Sequence, residues 1–194
     1  NILRLTSGAF AINGNTLAVN NVVRTSGTFS SNANSSLTIS GTNVPLNFTA
    51  GFRFIKNLTL NTNATASLNT DLDVSGGSAY GTVSIGSGAT LTTNNRLTLR
   101  SNATGTARVA EIPSNPSTGA ALGFITGNVT VERYLQAQRA WRLLAAPTAG
   151  SQTIKAAWQE NQAQGSTSLS GRGFQISGET YPSNGFDMLS SVPS

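Results

Sequence analysis

The sequence predicts an all-β chain: a parallel, right-handed β-helix (β-solenoid) followed by a β-rich capping region with one short helix. Three observations lead there. Short apolar–x–apolar pairs recur along the first 112 residues, and each places both apolar side chains on one face of a strand. The pairs are bounded by Asn, Thr, Ser and Gly, which suit pleated surfaces and tight turns. The steps between pairs vary, which a stack of coils absorbs at its corners and a β-sandwich of longer, evenly spaced strands does not.

The pairs are Leu3/Leu5, Leu17/Val19, Leu37/Ile39, Leu58/Leu60, Leu72/Val74, Val83/Ile85 and Leu97/Leu99. Their first members lie 14, 20, 21, 14, 11 and 14 residues apart, a mean of about 16. Read as one pair per coil, they make six or seven coils, a rod of roughly 30 Å at about 4.8 Å per coil. Further short apolar segments lie between them, at residues 9–12, 44–48 and 52–55. Two or three short strands per coil accommodate these as well. Turn residues separate the strands, as in Asn13-Gly14-Asn15, Ser40-Gly41 and Asn94-Asn95. No stripe of helical period is sustained in this body.

Composition narrows the function classes. Only 10% of the 194 residues are charged, against roughly 25% in an ordinary soluble domain. The chain is 38% hydrophobic with regular spacing, which argues against disorder. There is no cysteine for a disulfide or a thiolate metal site, and no histidine, the commonest general base and metal ligand. The net charge is +5, but the arginines are scattered except for a group at 133–142, so no basic stripe points to nucleic acid. No run of 18 apolar residues suggests membrane insertion. From its opening at Asn1 and its close in SVPS, the chain is expected to be an internal segment of a longer, processed protein, with the remainder of that protein as its first partner.

Three features of the body carry possible chemistry. Asp71 and Asp73 are a carboxylate pair with i, i+2 spacing, the arrangement of an acid/base remnant in carbohydrate-active β-helices. The expectation is a solvated strand edge, since no third carboxylate is near in sequence. Thr-rich segments such as Thr90-Leu91-Thr92-Thr93 bring ice-binding faces to mind. Single Thr residues flanked by core positions on the other coils favour ordinary outward threonines. The Asn-x-Ser/Thr triplets at Asn34, Asn47, Asn57, Asn63, Asn102 and Asn128 are ascribed to composition. The abundant Asn is expected to stack in ladders at the coil corners.

Residues 113–119 form a loop by composition and place the end of the body at 112, with a capping or transition region over 113–194. Asn128–Leu135 alternates as a half-buried strand, and residues 140–146 read as a second strand ending at Pro147. Residues 153–161 are the best short helix, with Ile154 and Trp158 on one face. Arg133, Tyr134, Arg139, Trp141 and Arg142 gather here as a possible anion or glycan contact. The competing role is closure of the rod, with Glu132 paired to Arg142 and Trp141 covering the open end. No catalytic, cofactor-binding or metal-ligating residue is expected.

Residues 105–112, 127–134, 139–147 and 153–160, with Gly171-Arg172-Gly173 and Asn184-Gly185-Phe186-Asp187, resemble a block in large secreted surface proteins of Bacteroidetes. The resemblance covers about residues 90–190. It implies an adhesin-like cargo of the type IX secretion system, extracellular or held at the outer cell surface. The expected function is therefore a non-enzymatic structural or adhesive module, a stiff β-helical rod segment. Its partners would be glycans or other surface and secretion components, or further copies of itself. The alternatives are a carbohydrate-binding or lyase-like β-helix and a self-assembling extracellular filament subunit.

Overall fold

In a computed structural model, which describes residues 1–76 and 80–135, the chain is an all-β solenoid of about five turns. The described residues contain no helix. Each turn visits three faces in a fixed order, and each face is a parallel sheet.

The first face stacks Thr16–Val19, Ser36–Ile39, Asn57–Leu60, Thr82–Ile85 and Arg108–Val109 in chain order. The second stacks Val44–Leu46, Thr65–Leu68, Thr90–Thr92 and Phe124–Thr126, and Asn21–Arg24, paired to Ile2–Leu5, lies against its first strand. The third stacks Phe54–Ile55, Leu72–Val74, Leu97–Leu99 and Val129–Val131. A bridge between Ser31 and Arg53 links it to the parallel pair Ala9–Ala11 and Thr28–Ser30.

Register explains why these short strands hold together. On the first face Leu17, Leu37, Leu58, Val83 and Val109 stand opposite one another on successive turns. Val19, Ile39, Leu60 and Ile85 form a second column two residues on. Like side chains therefore stack on like along the axis, and a one-residue slip would turn the whole column out to water. Leu37, Leu58, Leu60, Leu68, Leu72 and Leu91 have no accessible surface. Phe10, Phe29 and Phe48 continue the theme, with Phe29 and Phe48 stacked at 4.7 Å between centroids and Phe10 tilted at 6.1 Å from Phe29.

The apolar pairs do stack in register, but on three faces. Leu3/Leu5 belongs to the second face, and Leu72/Val74 and Leu97/Leu99 to the third. The mean step of about 16 residues therefore mixes steps along a turn with steps between turns. Counting one pair per coil overestimates the depth, and the expected six or seven coils become about five turns. The spacing between stacked positions grows along the chain, from Leu17–Leu37 to Leu91–Ile125. The added residues sit in corners. Ser101–Asn102 and Gly105–Thr106 form an antiparallel hairpin between third and first faces, and a loop closed by a Ser114–Ala121 bridge joins first to second.

That loop was expected to end the body. Beyond it, Phe124–Thr126 and Val129–Val131 pair parallel with Thr90–Thr92 and Leu97–Leu99. The stacked pairing thus runs past 112 to Val131, and the first compact unit spans Asn1–Ala137. The second unit, Gln138–Ser194, includes the expected strand at 140–146 and helix at 153–161, which lie outside the described residues.

The corners show what Asn does. Asn43, Asn63 and Gly88 occupy the corner from first to second face on successive turns, with φ of 54°, 61° and 70°. This left-handed backbone is open to Asn and Gly at low cost and closed to branched residues. The expected stacking of Asn on Asn is met at one corner, where the Asn128 N–H donates to Asn95 Oδ1 at 2.9 Å, while other asparagines bond to other groups on adjacent turns. Asn57 donates to Ser36 Oγ (3.2 Å), Asn61 to Ser40 Oγ (2.9 Å) and Asn94 to the Leu68 carbonyl (2.9 Å). Of these three, Asn94 also has left-handed backbone, with φ of 49°.

Gly41 marks the tightest approach between turns. A Cβ there would lie 1.6 Å from the carbonyl oxygen of Asn20. Gly41→Ala is expected to destabilise the chain by about 3 kcal/mol or more, because backbone has to move on two turns. At Asn63, Gly should be tolerated, whereas Val should cost about 1–2 kcal/mol. Urea unfolding followed by circular dichroism measures all three, and equal effects of Gly and Val at 63 would refute the left-handed requirement.

Candidate functional site

The third face carries a seam of six charged side chains that the sequence scatters over 80 positions, from Arg53 to Glu132. The short strands bring them to one line because each turn returns to the same face. Asp73 stands between Phe54 on one neighbouring turn and Thr98 on the other. Leu72 and Val74 point into the core on either side of it, so strand alternation directs Asp73 outward.

Asp73 is nonetheless buried, with 2% of its side chain exposed. Arg53 donates from Nε to its Oδ2 at 3.0 Å, and Arg100 donates from Nη2 to the same oxygen at 3.0 Å. The two guanidinium stems come from the turns on either side and cover the carboxylate, as long cationic side chains cover surface beneath them. Asp71 is half exposed and takes the outer contacts, with Arg53 at 3.4 Å and Arg96 at 3.3 Å. Arg100 reaches on to Glu132 Oε1, and Glu132 Oε2 accepts the backbone N–H of Ser101 at 3.2 Å. Positive and negative groups alternate along the axis across four turns.

Asp73 overturns the expectation of a solvated strand edge. The signal that was missing is the turn length, since Arg53 and Arg100 become neighbours of Asp73 only once the coils are in register. Arg142 of the expected Glu132–Arg142 pair lies outside the described residues, and Glu132 itself is engaged by Arg100 and by the Ser101 N–H. Of the anion or glycan group, Arg133 and Tyr134 are exposed at the end of the last described strand. Arg133 donates to the carbonyl of Glu132, and the Tyr134 N–H donates to Ser101 Oγ. Arg139, Trp141 and Arg142 lie outside the described residues.

The chemistry of the seam follows from its bookkeeping of charge. Three guanidinium groups face three carboxylates, so no charge is left over to hold an ion. A general acid or base must present a proton-carrying group to substrate. Asp73 is covered and held by two arginines. Hydrogen bonding to Asp73 raises the Arg100 guanidinium above its ordinary value, with burial opposing and Glu132 reinforcing the shift. A cavity of about 190 Å³ opens beside the seam, lined by Phe48, Thr49, Ala50, Thr70 and the seam members Arg53, Asp71 and Arg96. Among the described residues no group of three or more acidic or other metal-ligating side chains is placed to hold a metal ion.

A second polar device secures the last described turn. Thr93 is fully buried, where the preceding turns of the second face carry Leu46 and Leu68. Its hydroxyl donates to the Asn128 carbonyl at 2.9 Å, with the Thr126 carbonyl 3.1 Å away, and accepts the Asn95 N–H at 3.3 Å. A buried hydroxyl so placed costs little, because its hydrogen-bonding capacity is met.

No protein-family profile, no curated protein and no solved structure matches this chain.

Breaking the seam should be costly at its centre and cheap at its rim. Asp73→Ala leaves two guanidinium groups without their buried partner and is expected to cost about 3 kcal/mol. Asp71→Ala, at the exposed rim, is expected to cost about 1 kcal/mol or less. Denaturant titration separates the two, and equal losses would mean that the burial of Asp73 is energetically idle. The raised Arg100 value also fixes a pH window. A cation whose value is raised by folding contributes fully below its unfolded value and loses that contribution only as pH passes the folded one. The difference in melting temperature between the native chain and Arg100→Gln should therefore stay flat from about pH 7 to about pH 9, and a steady fall across that interval would contradict the assignment.

Proposed function

We propose that this chain is a non-enzymatic structural or adhesive module of a secreted or cell-surface protein, serving as a stiff rod segment. The observation that supports it most is the continuity of stacking: three parallel faces in register, an unbroken inward column, and a charge seam tying four turns together. Repeats that contact only their neighbours spread load along an axis. The engagement of Asp71 and Asp73 by arginines supports a mechanical role over carbohydrate cleavage. Low charge and abundant Thr and Asn accord with an extracellular setting, and the resemblance to Bacteroidetes surface proteins exported by the type IX system points the same way.

Two measurements test this. Antibody raised against the chain should label intact producing cells or their medium, and labelling only after permeabilisation would remove the surface assignment. Trypsin should leave a resistant core, since Arg53 and Arg100 are held in the seam. Rapid cleavage at those two positions under native conditions would be incompatible with a stiff rod.

A further inference from the structure

The first face carries a second regularity, on its outer side. The outward positions of its first four strands form two columns in register. One is Thr16, Ser36, Asn57 and Thr82, and the other is Ala18, Thr38, Thr59 and Ser84. Each is a small, uncharged side chain, and six of the eight carry a hydroxyl. A charge enters only on the fifth strand, with Arg108 opposite Thr82. The sequence pattern by itself favours ordinary outward threonines, because each coil shows few of them. Register adds what the pattern lacked: Thr38, Thr59 and Ser84 are direct neighbours on successive turns.

We propose that this face binds ice. Parallel strands set the columns' rungs about 4.8 Å apart, and the two columns lie about 6.6 Å apart along the strand. The result is a periodic grid in which six of the eight outward side chains carry a hydroxyl, a repeated array that can meet the repeating water oxygens of an ice surface. Thr methyl groups beside the hydroxyls restrict the orientation of first-shell water, while the hydroxyls anchor it. Neutrality matters, because a charged group holds its own hydration shell and resists sharing it with a lattice. The grid is also pre-ordered. The Asn57 side chain donates to Ser36 Oγ on the adjacent turn, and the Thr82 hydroxyl donates to the Tyr80 carbonyl, which lowers the entropy lost on binding.

The absence of aromatic side chains from these eight positions separates ice from a crystalline polysaccharide. A polysaccharide presents flat sugar faces that aromatic rings cover, whereas these two columns offer none. The second face is a weaker grid, since Pro45 and Phe124 interrupt its outward columns.

The test uses the full chain in an ice-recrystallisation assay and in thermal-hysteresis measurements on single ice crystals. The native chain should suppress recrystallisation and shape growing crystals. Thr38→Tyr and Thr59→Tyr, placed at the centre of the grid, should each reduce the effect by about tenfold or more. Thr92→Tyr, outward on the second face, should leave it intact. Circular dichroism and melting temperature establish that each variant is folded, and pairing two central variants with one on another face keeps the result interpretable if one fails to fold. No effect of the native chain on ice would overturn the proposal. So would equal loss in Thr92→Tyr, or retention on insoluble cellulose or chitin that the Thr38 and Thr59 substitutions abolish. Suppression of ice growth would leave the rod reading untouched, because the inner columns and the seam do not depend on it.

Discussion

Parallel stacking of one turn on the next, with like residue over like, is the constraint from which the other features follow. A strand of three or four residues has little stability alone, because it orders its backbone for few contacts. In this chain each strand is paired on both sides wherever turns lie above and below, and its inward side chain meets an equivalent one at the inter-strand spacing. Leu37, Leu58 and Val83 illustrate the consequence. All three are fully buried, and they stand in one column along the axis.

That constraint governs the polar groups as strictly as the apolar ones. At the corners the chain must turn sharply, at the same place, on every circuit. Asn43, Asn63 and Gly88 meet this with left-handed backbone, and Gly41 meets it by leaving room for the carbonyl of Asn20. On the third face the same return to register collects arginines and carboxylates into an alternating seam. Asp73 is tolerated in a covered position only because partners arrive from both adjacent turns. Thr93 is tolerated in the core because the next turn supplies its acceptors.

The stacking also determines how function can be built on such a body. A solenoid presents its surface in repeats. It offers extended faces, corners where excursions are inserted, and ends. The seam uses one face for cohesion. The excursions at 101–106 and 113–122 lengthen the later corners without disturbing the sheets. The first face, regular and uncharged over four turns, is where a periodic surface can be met by many weak contacts acting together.

Much of the fold was legible in the residues themselves. Period-2 apolar pairs, the turn residues around them and their uneven spacing point to an all-β solenoid, since no other all-β layout absorbs insertions so easily. The positions of the strands followed from the same pairs, as with Leu58/Leu60 and Val83/Ile85. The number of turns did not follow, because an apolar pair looks alike on every face, and only pairing separates Leu72/Val74 from Val83/Ile85. For the same reason the sequence alone could not show that Arg53, Asp73, Arg100 and Glu132 are neighbours, or that Thr38, Thr59 and Ser84 share a column. Alternation along a strand is local and can be read from the chain. Proximity between turns depends on the length of each corner, and only the tertiary structure decided it.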